Sequence, residues 1–182
     1  MVVNRSPIQP IRVHKAKPPN NVGDCVFYTV GDRIVYAVGE SCFVLDWQYK
    51  HQLEVRHHKL PICNLCIHPG KILAASAQED GQIIVWKVTT GRKVATLSPT
   101  HGTQLTELEF DSTGRYLVSV GTDKSHTLNV HEWASDRLAG DALCGPKRLN
   151  VVRYNAAHQT VVVGGDAVLR WYKFEQAPGA AK

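Results

Sequence analysis

A repeat of about forty residues is the sequence feature that most constrains how this chain folds. Short apolar segments rich in β-branched residues recur along the chain, and turns containing Pro, Gly or Asp separate them. Alignment of the third segment in each unit places four residue pairs at equivalent positions, separated by 41, 45 and 40 residues: Leu45–Asp46, Trp86–Lys87, His131–Glu132 and Trp171–Tyr172. Because a period of this length is typical of four-stranded β-sheets stacked around an axis, the sequence predicts an all-β fold.

The unit from Pro61 to Leu97 shows the internal plan of the repeat most clearly. Its predicted strands read ICNLCIH, ILAASA, QIIVWKV and KVATL, and the turns between them are Pro69–Gly70, Asp80–Gly81 and Thr90–Gly91. A single sheet of this kind cannot bury both of its faces, so neighbouring sheets must stack. The sequence therefore predicts a WD-repeat β-propeller of about four four-stranded blades, and we expect this number of WD-type blades to form a partial, incomplete ring.

The predicted organisation has three parts. Residues 1–22 form an extended N-terminal arm, in which the segment IRVHK could add one strand, and residues 175–182 form a flexible tail. Residues 23–174 hold the blades, at about 24–56, 57–97, 101–142 and 147–174, and the last unit contains three predicted strands. We expect further sequence, another copy of the chain or a partner protein to complete such a propeller.

Composition narrows the possible classes of protein. Hydrophobic residues make up 43% and charged residues 20% of the sequence, which is typical of a folded domain. There is no run of 18 apolar residues and no secretory signal, so we expect a cytoplasmic or nuclear protein without a membrane partner. The five cysteines are scattered among apolar segments, which favours buried thiols over a disulfide framework.

The charge balance favours an acidic partner surface. The formal net charge is +5, and nucleic acid, anionic lipid or an acidic protein would each complement it. Lys and Arg are spread along the chain without a cluster of five or six, which is not typical of a nucleic-acid-binding arm. We therefore expect a protein partner and no nucleic acid.

Ser, His and Asp recur together in two neighbouring units. The residues are His58, Ser76, Asp80 and Trp86 in the second unit, and His101, Ser119 and Asp123 in the third. Such groups can activate a nucleophile in a catalytic triad. Here they recur at matched offsets, which favours a buried hydrogen-bonded network within each blade instead. The sequence thus predicts structural residues, no catalytic residues and no enzyme.

Cys63 and Cys66 have the spacing of a zinc half-site. Three histidines lie nearby in the sequence: His57, His58 and His68. Residues three apart in a strand point to opposite faces, so these two thiols are expected to diverge. A second pair of cysteines with this spacing is absent from the sequence. We therefore expect no metal.

The glycines that follow predicted strands do not form a phosphate-binding loop. Strands follow Gly121 and Gly164–Gly165, so no helix N-terminus is available there to hold a phosphate. The sequence predicts no cofactor and no small-molecule substrate.

Three passages carry a family resemblance: HHKLPICNLCIHPGKILAASAQEDGQIIVWKV, LTELEFDSTGRYLVSVGTDKSHTLNVHEW and IVYAVGESCFVLDW. They resemble the WD-repeat propellers of the echinoderm microtubule-associated protein-like family, and His126 and Trp133 stand where its pattern has them. The chain departs from that pattern at Ser112–Thr113, Lys124 and His131. It is also similar to the cilia- and flagella-associated WD-repeat proteins of the axoneme.

The resemblance implies a non-catalytic scaffold that binds tubulin, microtubules or axonemal assemblies in the cytoskeleton, a cilium or a flagellum. The basic balance of the chain agrees, because the surface of tubulin is acidic. The alternative is a generic WD-repeat adaptor in another complex, such as a ubiquitin ligase or an RNA-processing assembly. Self-association through the unpaired edges of an open propeller is also expected.

Overall fold

Short antiparallel strands are the main secondary structure of the described chain, joined by turns and two short 3-10 helices. The structure, a computed structural model, describes residues 26–46, 48–49, 51–98, 101–155 and 157–173. The predicted arm at 1–22, including its possible IRVHK strand, and the predicted tail at 175–182 lie outside these residues.

The strands form four sheets, each a meander in chain order. The first sheet contains β1 (Val26–Tyr28), β2 (Arg33–Val38), β3 (Ser41–Asp46) and β4 (His51–Val55), and the second contains β5 (Ile62–Ile67), β6 (Leu73–Gln78), β7 (Ile83–Lys87) and β8 (Lys93–Leu97). The third contains β9 (Leu105–Phe110), β10 (Tyr116–Gly121), β11 (Thr127–Glu132) and β12 (Arg137–Leu143), and the fourth contains β13 (Leu149–Asn155), β14 (Thr160–Gly165) and β15 (Val168–Lys173). The prediction of an all-β fold with about four such sheets is confirmed.

Short turns set the order of strands within each sheet. The β6–β7 turn contains Gly81 at φ +86°, and a Cβ added there would lie 2.6 Å from the carbonyl oxygen of Thr103. The positive φ and the close backbone of the following loop both require glycine at this position. The predicted Asp80–Gly81 turn therefore also fixes how closely the second and third sheets approach.

The sheets stack with their first strands side by side. β1 contacts β5, β5 contacts β9, and β9 contacts β13, so the first strands line a shared central groove. Each pair of neighbouring sheets encloses one apolar cluster. Between the first and second sheets, Val35, Ile62 and Trp86 have no exposed surface. Burial of apolar side chains on this scale is the main force that holds the sheets together.

The register of the fourth sheet differs by one residue from the sequence alignment. Trp86 pairs with Ala74, the second residue of β6, whereas Tyr172 pairs with Val161, the second residue of β14. Tyr172 is therefore the equivalent of Trp86, and alignment on Trp171 was wrong. The β14–β15 turn is two residues shorter than the β6–β7 turn. Positions counted along the sequence therefore do not match positions counted along the paired strands.

Candidate functional site

A chain of hydrogen bonds runs through the second sheet and contains the predicted residues His58, Ser76 and Trp86. The indole Nε1 of Trp86 donates to Ser76 Oγ at 3.1 Å, and Ser76 Oγ lies 2.7 Å from His58 Nε2. Ser76 and Trp86 are completely buried, and His58 is 8% exposed. The connection ties the β4–β5 linker, which carries His58, to the two central strands of the sheet.

Gln78 extends this chain to Asp80 and was missed in the sequence. His58 Nδ1 lies 3.1 Å from Gln78 Oε1, and Gln78 Nε2 donates to Asp80 at 2.9 Å. Asp80 in turn accepts from the backbone N–H of Gln82 within the turn. The signal that would have found Gln78 is alternation, because residues 74, 76 and 78 of one strand share a face. Asp80 therefore reaches His58 through Gln78.

The pattern of donors gives His58 one neutral tautomer. Gln78 Oε1 can only accept, so His58 Nδ1 carries the proton, and Nε2 of the neutral imidazole then accepts from the Ser76 hydroxyl. Burial lowers the pKa of His58 to about 4, and the hydrogen bond to Gln78 only partly opposes this effect. Because Ser76 has no exposed surface, a substrate could not reach its hydroxyl unless the sheet opened.

The third sheet holds an equivalent but different network. His101 Nε2 lies 2.9 Å from Ser119 Oγ and 3.2 Å from Asn129 Nδ2. Asp123 accepts from the backbone N–H groups of Ser125 and Thr127 within its own turn. The charge of Asp123 also raises the pKa of His101, against the larger effect of burial.

His131 occupies the position of Trp86 in the third sheet. It is the second residue from the end of β11, pairs with Leu117 and is 2% exposed. Neither His131 Nδ1 nor His101 Nδ1 has a hydrogen-bond partner among the described residues. Burial lowers the pKa of both histidines, that of His101 to about 4. The third sheet thus contains two neutral imidazoles that are less well paired than His58.

The expectation that Cys63 and Cys66 point apart was wrong. A β-bulge between Ile62 and Asn64 shifts the alternation, and both cysteines lie in the apolar cluster between the second and third sheets. Burial raises the pKa of both thiols, that of Cys63 to about 11, which disfavours the thiolate that a metal requires. No group of three potential metal ligands occurs within the described residues.

Four exposed cations lie at one end of the second sheet, and we call Lys71, Lys87, Arg92 and Lys93 the basic rim. Backbone hydrogen bonds hold the segments that carry these cations. Lys87 N–H donates to the carbonyl oxygen of Arg92 at 2.9 Å, and Val88 N–H donates to the carbonyl oxygen of Ile72 at 3.0 Å. The described residues show no ion pair with these four side chains. By contrast, Glu132 pairs with both Arg115 and Arg137 at the same end of the third sheet. The basic rim is therefore a set of exposed positive charges on backbone segments that hydrogen bonds hold together.

The central groove differs from the basic rim in charge, because carboxylates outnumber cations in its lining. It encloses about 490 Å³ and is lined by first-strand residues that include Glu107, Glu109 and Arg153. Arg153 lies 3.3 Å from Glu109 and 4.0 Å from Glu107, so one cation is shared by two carboxylates. Burial raises the pKa of Glu109, and Arg153 opposes this.

No helix among the described residues has the length and apolar character that a membrane span requires.

A comparison with protein families matches residues 49–87 to the WD domain, G-beta repeat. The matched stretch runs from just before β4 to the last residue of β7, and it contains His58, Ser76, Asp80 and Trp86. WD40 repeats generally serve as protein-interaction scaffolds, and this general role is supported for the chain. The narrower resemblance to the echinoderm microtubule-associated protein-like family stays a prediction. The repeat match and the stacked antiparallel sheets together support a WD-repeat protein with a fold consistent with a partial WD-repeat propeller.

Proposed function

We propose that this chain is a non-catalytic WD-repeat scaffold that binds microtubules or axonemal assemblies through the basic rim. The observation that carries the proposal is the set of four exposed cations on one sheet, without ion pairs to described carboxylates. A cytoplasmic location on the cytoskeleton, in a cilium or in a flagellum follows from the same proposal.

Charge complementarity supports this partner. An acidic protein surface such as that of tubulin attracts a basic patch over a distance of about one Debye length, roughly 8 Å at physiological salt. The strands β7 and β8 carry Lys87 and Lys93, and Arg92 directly precedes β8 with its carbonyl bonded to Lys87 N–H, so little backbone freedom is lost on binding. The net charge of +5 adds a weaker, general attraction.

Co-sedimentation with polymerised tubulin tests the proposal. We compare the wild type with a rim variant, Lys71→Gln/Lys87→Gln/Arg92→Gln/Lys93→Gln. The control is Lys59→Gln/Lys124→Gln/Lys147→Gln/Arg148→Gln, which removes four exposed charges from loops at the other end of the sheets. We expect the rim variant to bind about tenfold more weakly or worse, and the control to stay close to the wild type.

Two results would contradict the proposal. If wild-type protein with a cooperative melt does not pellet with microtubules, the partner is not tubulin. If both variants weaken binding equally, net charge and not the basic rim drives association. Circular dichroism of each variant shows that its fold is retained.

A further inference from the structure

Two sheet faces lie at the ends of the described stack, and both expose large apolar side chains. The first end face, on the first sheet, contains Val26, Tyr28, Tyr36 and Phe43. Val26 is 66% and Tyr28 is 72% exposed. The last end face, on the fourth sheet, contains Val151, Leu169 and Trp171, and Trp171 is 65% exposed. Exposed apolar surfaces of this kind mark interaction sites.

The last end face repeats the positions of an interface that is buried elsewhere in the chain. Trp171 pairs with the third residue of β14, and Val85 pairs with the third residue of β6. Leu169 and Ile83 likewise face the fifth residues of those strands. Val85 is completely buried and Ile83 is 3% exposed in the cluster against the third sheet. The last end face thus has the positions with which one sheet covers the next.

The first end face repeats the opposite half of this interface. Val26 and Phe43 both pair with the fourth residue of β2, just as Leu65 and Ile84 pair with the fourth residue of β6. Leu65 and Ile84 are each 2% exposed, packed against the preceding sheet. The first end face therefore has the positions that receive a preceding sheet.

We propose that two copies of this chain associate head to tail, so that the last end face of each copy covers the first end face of the other. A second copy presents both halves of the repeated interface, and two-fold symmetry then forms both contacts at once. The product is a ring of eight sheets, at the upper end of the range in which propellers close. The stacked sheets continue from one copy into the next with the packing already present inside each copy.

The test is light scattering of the purified chain during size exclusion, over a range of concentrations. We expect twice the mass of one chain for the wild type. Trp171→Arg on the last end face and Tyr28→Arg on the first should each give the mass of one chain with a cooperative melt. The control, Leu143→Arg, changes an apolar side chain that is 68% exposed on the outer strand of the third sheet, and should keep the doubled mass.

Mixing distinguishes the head-to-tail arrangement from other dimers. A mixture of Trp171→Arg and Tyr28→Arg chains keeps one unaltered interface, so we expect part of the doubled mass to return. A wild type with the mass of one chain and a cooperative melt would overturn the proposal. Loss of the doubled mass in only one of the two variants would do so as well, because head-to-tail contacts use both faces.

Discussion

At the scale of single residues, Ser76 joins the side chains of Trp86, which is completely buried, and His58, which is 8% exposed. Trp86 Nε1 and His58 Nε2 both meet its hydroxyl, and each would otherwise be a buried polar atom without this partner. An unpaired buried donor or acceptor costs about 1–3 kcal/mol. The predicted structural role of these residues can therefore be tested by measuring the free energy of unfolding.

Ser76→Ala should lower the free energy of unfolding by about 2–4 kcal/mol, because it leaves both Trp86 Nε1 and His58 Nε2 without their hydroxyl partner. Urea titration followed by tryptophan fluorescence measures the change. Ser112→Ala, in an exposed turn, is the matched control and should change stability by less than about 0.5 kcal/mol. Equal stability of the two variants would show that the network is dispensable.

Acid should destabilise the fold through His58 and His101. Their pKa values are lowered to about 4 by burial, from 6.5 in the unfolded chain, so the unfolded state binds more protons in that window. Stability is fully present above pH 6.5 and should fall as pH decreases towards 4, by on the order of 1 kcal/mol per pH unit for each histidine.

Urea titrations between pH 7.5 and 4.5 measure this dependence. His58→Gln should make it shallower, because one of the buried histidines with a lowered pKa is gone. His158→Gln, at an exposed position, should leave it unchanged. If the His58→Gln and wild-type profiles run parallel, His58 does not carry the effect.

Residue patterns predicted part of the network and failed where local geometry intervened. The matched offsets of His58, Ser76 and Trp86 were enough to bring them together. Gln78 was missed because a glutamine at the end of a strand is ordinarily an exposed residue. The direction of Cys63 relative to Cys66 was wrong because a β-bulge, which no composition signal announces, breaks the alternation.

At the scale of elements, the turns between β5 and β6 and between β9 and β10 lock neighbouring sheets together. The imidazole of His68 packs edge-on against Phe110, with ring centroids 5.2 Å apart, and accepts from Gly70 N–H. Gly114 has φ +74°, and a Cβ added there would overlap this imidazole. Trp133 Nε1 donates to the Gly114 carbonyl at 2.7 Å, which closes the contact.

Gly114→Ala should destabilise the fold by about 2–4 kcal/mol, because the positive φ and the overlap with His68 add. Gly102→Ala is the matched control: its φ is +61° and no atom lies within 4 Å of an added Cβ, so it should cost only about 1 kcal/mol. Thermal and urea melts measure both variants. His68→Ala combined with Gly114→Ala should cost less than the sum of the single changes, and strict additivity would contradict the contact.

Strand positions were predictable from the sequence because each strand is a short apolar segment between turn residues. The register of β15 was not predictable. The sequence alignment matched Trp171 to Trp86 because both are tryptophans, whereas the hydrogen-bonded strand pairs place Tyr172 at that position. A turn that is one or two residues shorter changes which residues pair across the strands. The repeat period does not reveal the length of an individual turn.

At the scale of the whole molecule, charge is distributed unevenly over the stack. The basic rim lies at one end of the second sheet, whereas the central groove holds two carboxylates for one arginine. The net charge of +5 was readable from composition. The basic rim was not, because Lys71 is 16 residues from Lys87 in sequence and only the β-sheet brings them together.

The salt dependence of microtubule binding tests the central claim most directly. Co-sedimentation of the wild-type chain is measured from low to physiological ionic strength, over which the Debye length falls from about 30 Å to about 8 Å. We expect affinity to fall steadily with salt, and the dependence to be clearly shallower for the rim variant. Binding that does not change with salt, or an equal dependence in both proteins, would contradict a scaffold that holds its partner through the basic rim.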